Sequence, residues 1–369
     1  MKIPFLSLLT LTLLAGCAAR RPPQTPLAPC QRVRIDPAPL WTASAAWTPE
    51  QDRLVLIGPG RRSLLVYDLA GSLVREVALD PLAELDYASP IRLEATRDGY
   101  VLGDQTQILW LDRSFRRRRL WRPFEHLAAA GVTAGNLSDF VLVGDVVYAW
   151  ADFVAAAADG EEEWRRGFVR LDLDAPGIVP LLELGLGDGE IDAYYYYGRR
   201  PYVTGLGARP YVLRYTDPPQ VLRGAGEGLE PFYAATGGDG LEAQALHAHQ
   251  GRLFVLASRR PEPSGGVAGA TEAKLVSAGP SQAQLLQVAR MLEAPAERIV
   301  VELDPASGRE LGRHRLPTEA QQVKVVPGRW YWALIEESSA PNMGGGEVTT
   351  LALLPASWLE DGRFSECFR

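Results

Sequence analysis

A short order of strand, turn, strand, acidic turn and strand recurs along this chain and constrains its fold more than any other feature. The clearest copy spans residues 53–79, RLVLIGPGRRSLLVYDLAGSLVREVAL. In it, two dense apolar runs are followed by a run that alternates apolar and polar residues. This order predicts inner strands that are covered on both faces and an outer strand that is half exposed to water.

The same order returns at a nearly constant spacing. The predicted second strands of successive units lie near Leu54, Tyr100, Val146, Tyr202, Leu253 and Trp330. A period of about 40–50 residues with four strands in each unit is typical of a β-propeller. The longer last interval is explained by an insertion at 260–297. The sequence therefore predicts an all-β fold with six blades.

The sixth unit lacks a clear fourth strand, whereas an unassigned strand, QRVRIDP at 31–37, precedes the first blade. This N-terminal strand is predicted to complete the last blade and so to close the ring. Closed all-β folds often run this long as one domain, which predicts a single domain over 31–369. In the fourth unit, the inner strand is predicted at 191–198, IDAYYYYG.

Acidic residues end several of the predicted third strands, at Asp68, Asp112, Asp217 and Asp304. An Asp side chain at such a position accepts hydrogen bonds from the backbone of the turn that follows. We therefore interpret these residues as turn formers in preference to metal ligands.

The insertion begins with a Gly-rich stretch and continues with SQAQLLQVARMLEAPAE. Ser281 and Gln284 form a capping-box pattern, and the apolar residues that follow share one helical face. One short inserted helix is predicted at about 282–293. It is interpreted either as padding at the side of the propeller or as a partial lid over one end.

The N-terminus has the pattern of a targeting segment, with a positive charge at Lys2 and an apolar stretch at 3–14 that is too short to span a bilayer. The motif Leu14-Ala15-Gly16-Cys17 resembles the lipobox of bacterial secreted lipoproteins. That resemblance implies a signal peptide at 1–16, acylation of Cys17 with attachment to the lipid bilayer, and, because Ala18 is not Asp, the outer membrane. Residues 17–30 are then a Pro-rich tether. The alternative is an ordinary signal peptide with a chance cysteine.

The repeat itself resembles the six-bladed propellers of the NHL-like and related envelope families. This resemblance covers about residues 31–355 and depends on periodicity. No unit carries the Gly-His and Trp-Asp pair of WD40 repeats, and the double glycines of kelch repeats are absent.

Two cysteines remain besides Cys17, namely Cys30 and Cys367. Exported proteins retain disulfides, and ring closure by the N-terminal strand brings both residues to the last blade. A Cys30–Cys367 disulfide is therefore predicted. The alternative is a pair of free thiols in the two termini.

Few residues suggest chemistry. His247 and His249 lie two apart on a predicted inner strand and so share one face, while Tyr194 and Tyr196 share a face of the predicted inner strand of blade 4. The histidines are interpreted either as structural residues or as channel ligands, and the tyrosines either as spacers between blades or as a sugar or peptide platform. No metal spacing, nucleophile elbow, phosphate loop or dinucleotide fingerprint is present, so neither a catalytic residue nor a cofactor is predicted.

The net charge of −7 does not favour nucleic acid as a partner. The first functional hypothesis is a monomeric, non-enzymatic envelope lipoprotein whose propeller binds a protein, peptide or glycan. The competing hypothesis is a propeller enzyme, either a lactonase-like hydrolase or a quinone-dependent dehydrogenase, with its site at the channel mouth near Tyr196 and His249.

Overall fold

The computed structural model confirms the all-β, six-bladed propeller. It describes residues 30–36, 44–57, 63–79, 91–128, 131–156, 160–174, 177–183, 202–214, 216, 218–225, 228–235, 240–259, 297–318, 320, 322–338 and 348–367. Within these residues the chain forms six four-stranded antiparallel sheets, one for each blade. Cys17, Tyr194, Tyr196 and the predicted helix at 282–293 lie outside the described residues, as does the predicted strand 191–198.

The first strand, β1 (Gln31–Arg34), precedes three blades that follow one another along the chain. Blade 1 contains β2 (Ser44–Trp47), β3 (Leu54–Ile57), β4 (Ser63–Tyr67) and β5 (Leu73–Ala78). Blade 2 contains β6 (Arg92–Thr96), β7 (Gly99–Gly103), β8 (Ile108–Asp112) and β9 (Arg117–Trp121). After the short helix α1 (Pro123–Leu127), blade 3 contains β10 (Val132–Val143), β11 (Val146–Ala156), β12 (Glu162–Asp172) and β13 (Ile178–Glu183).

The second half of the ring is built in the same way. Blade 4 contains β14 (Tyr202–Leu206), β15 (Arg209–Arg214), β16 (Gln220–Ala225) and β17 (Gly228–Ala234). Blade 5 contains β18 (Leu241–His249), β19 (Arg252–Arg259), β20 (Glu297–Leu303) and β21 (Glu310–Arg315). Blade 6 begins with β22 (Gln322–Val326), β23 (Tyr331–Ser338) and β24 (Val348–Pro355), followed by helix α2 (Ser357–Glu360) and a 3-10 turn at Arg363–Glu366.

The N-terminal strand closes the ring as predicted. β1 pairs with β24 in antiparallel register, with Gln31 opposite Leu353 and Arg34 opposite Thr350. The chain then crosses to blade 1, where the backbone N–H of Asp36 donates to the carbonyl oxygen of Gly71. Blade 6 is thus made from both ends of the chain.

The predicted disulfide is present in blade 6. Cys30 and Cys367 are bonded, with their Cα atoms 5.2 Å apart and a separation of 337 residues in sequence. In other blades a turn joins the third strand to the fourth. In blade 6 that link is the disulfide, because β24 ends before α2 and β1 begins at the other end of the chain.

Blade 4 corrects one strand assignment. Tyr202 was aligned with the second strands of the other units, but it begins the first strand, β14, which pairs with β15. The outermost strand, β17, was not predicted. Its Pro231 lies opposite Leu222, where the register shifts, and proline is tolerated at such a bulge on an edge strand.

Apolar side chains fill the spaces between neighbouring blades. Between blades 5 and 6, the rings of Phe254 and Trp332 meet edge to face at 4.8 Å, and the ring of Phe364 also contacts Trp332, at 5.6 Å. Trp332 is only 2% exposed. The C-terminal segment that carries Cys367 therefore belongs to the core.

The two ends of the propeller differ in their connections. Because each blade is an antiparallel meander, turns from first to second and from third to fourth strands lie at one end, here called the tight-turn face. These turns are short, as at residues 97–98, 144–145, 207–208 and 250–251. The connections from second to third strands, and from one blade to the next, lie at the opposite end, which is here called the long-connection face. Examples are those between Glu183 and Tyr202 and between Arg259 and Glu297.

The acidic turns are confirmed where the structure describes them. Oδ1 of Asp68 accepts hydrogen bonds from the backbone of Ala70 and Ser72. The same oxygen of Asp112 accepts from Ser114 and Arg116. Asp304 caps its own turn through Ala306 and Ser307, and Asp217 lies outside the described residues. Three turns of the tight-turn face are thus capped by the residue type predicted.

Within the same described ranges, none of the helices is both long and apolar enough to cross a membrane.

Candidate functional site

Charged side chains from two blades meet where the first strands line the central channel. Asp139 on β10 accepts two hydrogen bonds from Nη1 of Arg92 on β6, each 3.2 Å long. Nη2 of Arg92 donates to Glu94, two residues further along β6, at 2.6 Å. The side chains of Arg92 and Asp139 are only 16% and 8% exposed, whereas Glu94 is 26% exposed. The three form one buried ionic network with an excess of one negative charge.

Burial and pairing act against each other in this network. Burial raises the pKa of Asp139 to about 6, although Arg92 and two backbone N–H groups favour its ionised form. Burial also opposes the charge of Arg92, but Asp139 and Glu94 outweigh that effect and raise its pKa. At neutral pH Arg92 and Asp139 are therefore both ionised, and charge-assisted hydrogen bonds join them.

Hydrogen bonds between first strands continue around the channel. The backbone N–H of Val203 on β14 donates to Asp139, at 3.0 Å, so this one carboxylate connects blades 2, 3 and 4. Other links between neighbouring blades are made from Leu93 to Ser44, from Trp47 to Val326, and between His249 and the backbone of Gly328. Most of these polar groups hold the ring together, which is a structural role.

The two histidines predicted on the first strand of blade 5 each have one ring nitrogen outside these links. His247 and His249 lie on β18, the first strand of blade 5, and the Nε2 atom of each is buried without a hydrogen-bond partner among the described residues. Burial lowers the pKa of His247 to about 3, and the charge of Arg92 acts in the same direction. Burial likewise lowers the pKa of His249, although its hydrogen bond with the backbone of Gly328 acts to raise it. Both imidazoles are thus neutral at physiological pH.

This arrangement sets limits on the chemistry of the described channel. No group of three or more His, Cys, Asp or Glu side chains is placed to hold a metal ion among the residues that the structure describes. The two neutral imidazoles offer hydrogen bonds, and the network offers the partly exposed carboxylate of Glu94.

The sequence predicted the position of the two histidines on the first strand of blade 5 but did not reveal the ionic network. Arg92 and Glu94 alternate on a strand that was expected to be largely covered, and Asp139 interrupts the apolar strand of blade 3. Charged residues on predicted first strands were the available signal. Their partners come from other blades, and a single-strand pattern does not reveal them.

Blade 3 extends beyond its neighbours at the long-connection face. Its first three strands contain 12, 11 and 11 residues, compared with 5 in each of the first three strands of blade 2. Trp164 lies on this extension and is 51% exposed.

No protein-family model matches this sequence, and none of the curated proteins matches it. Among solved structures, a member of the DUF4221 family from Bacteroides vulgatus is 8% identical with a TM-score of 0.48, over 88% of this chain and 96% of that chain. A protein of unknown function from Bacteroides caccae is 11% identical with a TM-score of 0.43, over 83% and 90%. The calcium-binding protein regucalcin from Agrobacterium tumefaciens is 12% identical with a TM-score of 0.44, over 89% and 96%. Similarity at this level says nothing about the ligand or activity of this chain.

Proposed function

We propose that this protein is a lipid-anchored lipoprotein of the bacterial outer membrane whose propeller binds a protein, peptide or glycan through its long-connection face. The observation that carries the proposal is the asymmetry of the two faces. One end is closed by short, Asp-capped turns, whereas the other carries the extension of blade 3 and the starts and ends of the long connections. Binding residues are commonly found on connections that a rigid scaffold positions.

The position of the tether supports the same orientation. Cys30 takes the place of a turn between the third and fourth strands, so it lies at the tight-turn face. An anchor at Cys17 therefore places the tight-turn face towards the bilayer and the long-connection face away from it. The disulfide joins Cys30, which directly precedes β1, to Cys367 in the core of blade 6.

The anchor is tested by comparing the natural chain with a Cys17→Ser variant in the bacterium that produces it. We expect the natural protein to sediment with the outer membrane and to incorporate labelled palmitate. The Cys17→Ser protein should lose the label and appear in the soluble fraction. Equal membrane retention of both chains, with no label on either, would contradict lipid anchoring.

The binding role is tested by native mass spectrometry of the protein purified in mild detergent from its own envelope. A bound protein, peptide or glycan is the expected result. The alternative function, a channel enzyme, is favoured by the buried and unpartnered Nε2 atom of His247 beside Arg92. A bound organic cofactor or metal, together with a reaction that His247→Gln abolishes, would establish the enzyme and overturn the binding role.

A further inference from the structure

The extension of blade 3 has two sides with different surroundings. On one side Phe153 is buried, and Phe124 of α1 lies so close to Gly135 that a Cβ atom there would be 2.2 Å from its ring. That side is filled by α1. The opposite side belongs to the sheet face on which Trp150 and Phe168 pack against Val203 of blade 4. The extension projects beyond that contact.

Strand register arranges the open side of the extension in two rows. Ala134, Val154 and Trp164 lie opposite one another on β10, β11 and β12, and form an apolar row. Asn136, Asp152 and Arg166 form the next row, two residues along each strand. Residues directly opposite in an antiparallel pair point to the same face, with their Cβ atoms about 5 Å apart.

Exposure is concentrated at both ends of the apolar row and at the Asn136 end of the polar row. Trp164 is 51% exposed, and Ala134 and Asn136 are exposed as well, whereas Val154 is half-buried. An indole ring that is exposed above a rigid sheet offers a large apolar face, and the adjacent row offers hydrogen-bonding groups.

The polar row carries no net charge. Asp152 and Arg166 form a bidentate ion pair, with Nη2 of Arg166 at 2.9 Å from Oδ2 of Asp152, and their side chains are only 16% and 14% exposed. The two charges of this row are paired with each other, so the row itself does not select a charged partner. It suits a neutral ligand that has an apolar face beside a series of hydroxyl groups.

We infer that the face formed by Ala134, Val154, Trp164 and the Asn136–Asp152–Arg166 row is a carbohydrate-binding platform. One pyranose ring stacks on the indole of Trp164, and its hydroxyl groups reach the exposed amide of Asn136. The ligand class is a neutral oligosaccharide. This inference rests on the proposed function, of which it specifies the glycan case and the surface.

Isothermal titration of the full-length protein in detergent tests this inference, with the N-acetylglucosamine tetramer and maltohexaose as the probes. We expect at least one probe to bind, and Trp164→Ala to weaken that binding by about tenfold or more, since exposed aromatic anchors dominate such contacts. Trp164→Phe should retain part of the affinity, and Asn136→Ala should lose several-fold. Leu311→Ala is the matched control, because Leu311 is 48% exposed on β21 of blade 5.

Two results would overturn the platform. The first is that neither probe binds at concentrations up to about 10 mM, which is far weaker than specific recognition. The second is that a probe binds the natural protein and Trp164→Ala with equal affinity, while circular dichroism shows that both proteins are folded. A peptide partner whose capture depends on Trp164 would replace the sugar. If the Trp164→Ala variant still captures a macromolecule at the long-connection face, the proposed function stands and the carbohydrate platform is wrong. If neither the natural protein nor any variant captures a ligand, both the proposed function and the platform are wrong.

Discussion

Asp139 of blade 3 binds Arg92 of blade 2 through two hydrogen bonds of 3.2 Å. The same carboxylate accepts the backbone N–H of Val203 in blade 4. One side chain thus joins three of the six blades at the wall of the channel. Removing it leaves a buried guanidinium and a buried N–H group with fewer partners, and such losses are costly.

Asp139→Ala should therefore lower the free energy of unfolding by about 3–5 kcal/mol, as expected when one partner of a buried ion pair is removed. Urea denaturation followed by tryptophan fluorescence measures the change. Glu163→Gln is the control, because Glu163 pairs with Arg165 at the surface and is 55% exposed. That pair should contribute less than about 1 kcal/mol. Equal effects of both substitutions would contradict the role given to Asp139.

The stability of the fold should decrease as the pH falls from about 6.5 towards 3. In this range the unfolded chain binds a proton at His247, but the folded protein does not, because its pKa is lowered to about 3. The lowered pKa values of His249 and His314 act in the same direction. Asp139 acts in the opposite direction between about pH 6 and 4, since its folded pKa is raised to about 6.

His247→Gln should consequently reduce the difference between urea midpoints at pH 7 and pH 5. The amide does not titrate, so the proton that the unfolded natural chain binds at this position is lost. A variant that keeps the full pH dependence of the natural protein would show that His247 is protonated in the folded state.

The disulfide should stabilise the closing blade. Replacing both Cys30 and Cys367 by serine is expected to lower the free energy of unfolding by about 2–5 kcal/mol, since the bond closes a very long loop. Cys17→Ser is the matched control and should leave the urea midpoint unchanged. Non-reducing peptide mapping should recover Cys30 and Cys367 in one linked fragment. Recovery of both residues as free thiols would refute the bond.

Gly71 should be intolerant of any side chain. It has φ of +83°, and a Cβ atom there would lie 2.4 Å from the carbonyl oxygen of Arg34, where the chain passes from blade 6 to blade 1. Gly144 has φ of +63° but nothing within 4 Å of such an atom. Gly144→Ala should cost about 1–2 kcal/mol from backbone strain alone. Gly71→Ala should cost clearly more, and equal urea midpoints for the two variants would contradict the close contact.

Much of the fold was predictable because its signals are local and repeated. The spacing of Leu54, Tyr100 and Val146 along the chain reflects blades that each bury apolar strands against the next blade. The missing strand of the sixth unit and the unassigned strand at 31–37 predicted the ring closure. That closure in turn placed Cys30 and Cys367 together.

Blade 4 shows where such reasoning failed. The aromatic run at 194–197 has the composition of a strand and was assigned as the inner strand, so the register of the blade was displaced. β17 contains Glu230 and Pro231, two residue types that are uncommon in strands. It forms because it pairs with β16, with a bulge where the register shifts. The platform around Trp164 was missed for another reason. Its rows depend on the pairing of three strands, which the pattern of a single strand does not reveal.

Photo-crosslinking from the two faces tests the central claim most directly. A photoreactive phenylalanine analogue is placed at Gln105 or Glu162 on the long-connection face, and at Asp145 or Ala208 on the tight-turn face. All four positions are exposed. After irradiation of living cells, we expect a discrete higher-mass adduct of a protein or glycan from Gln105 or Glu162 and none from Asp145 or Ala208. Adducts from the tight-turn face alone, or equally from both faces, would contradict the account.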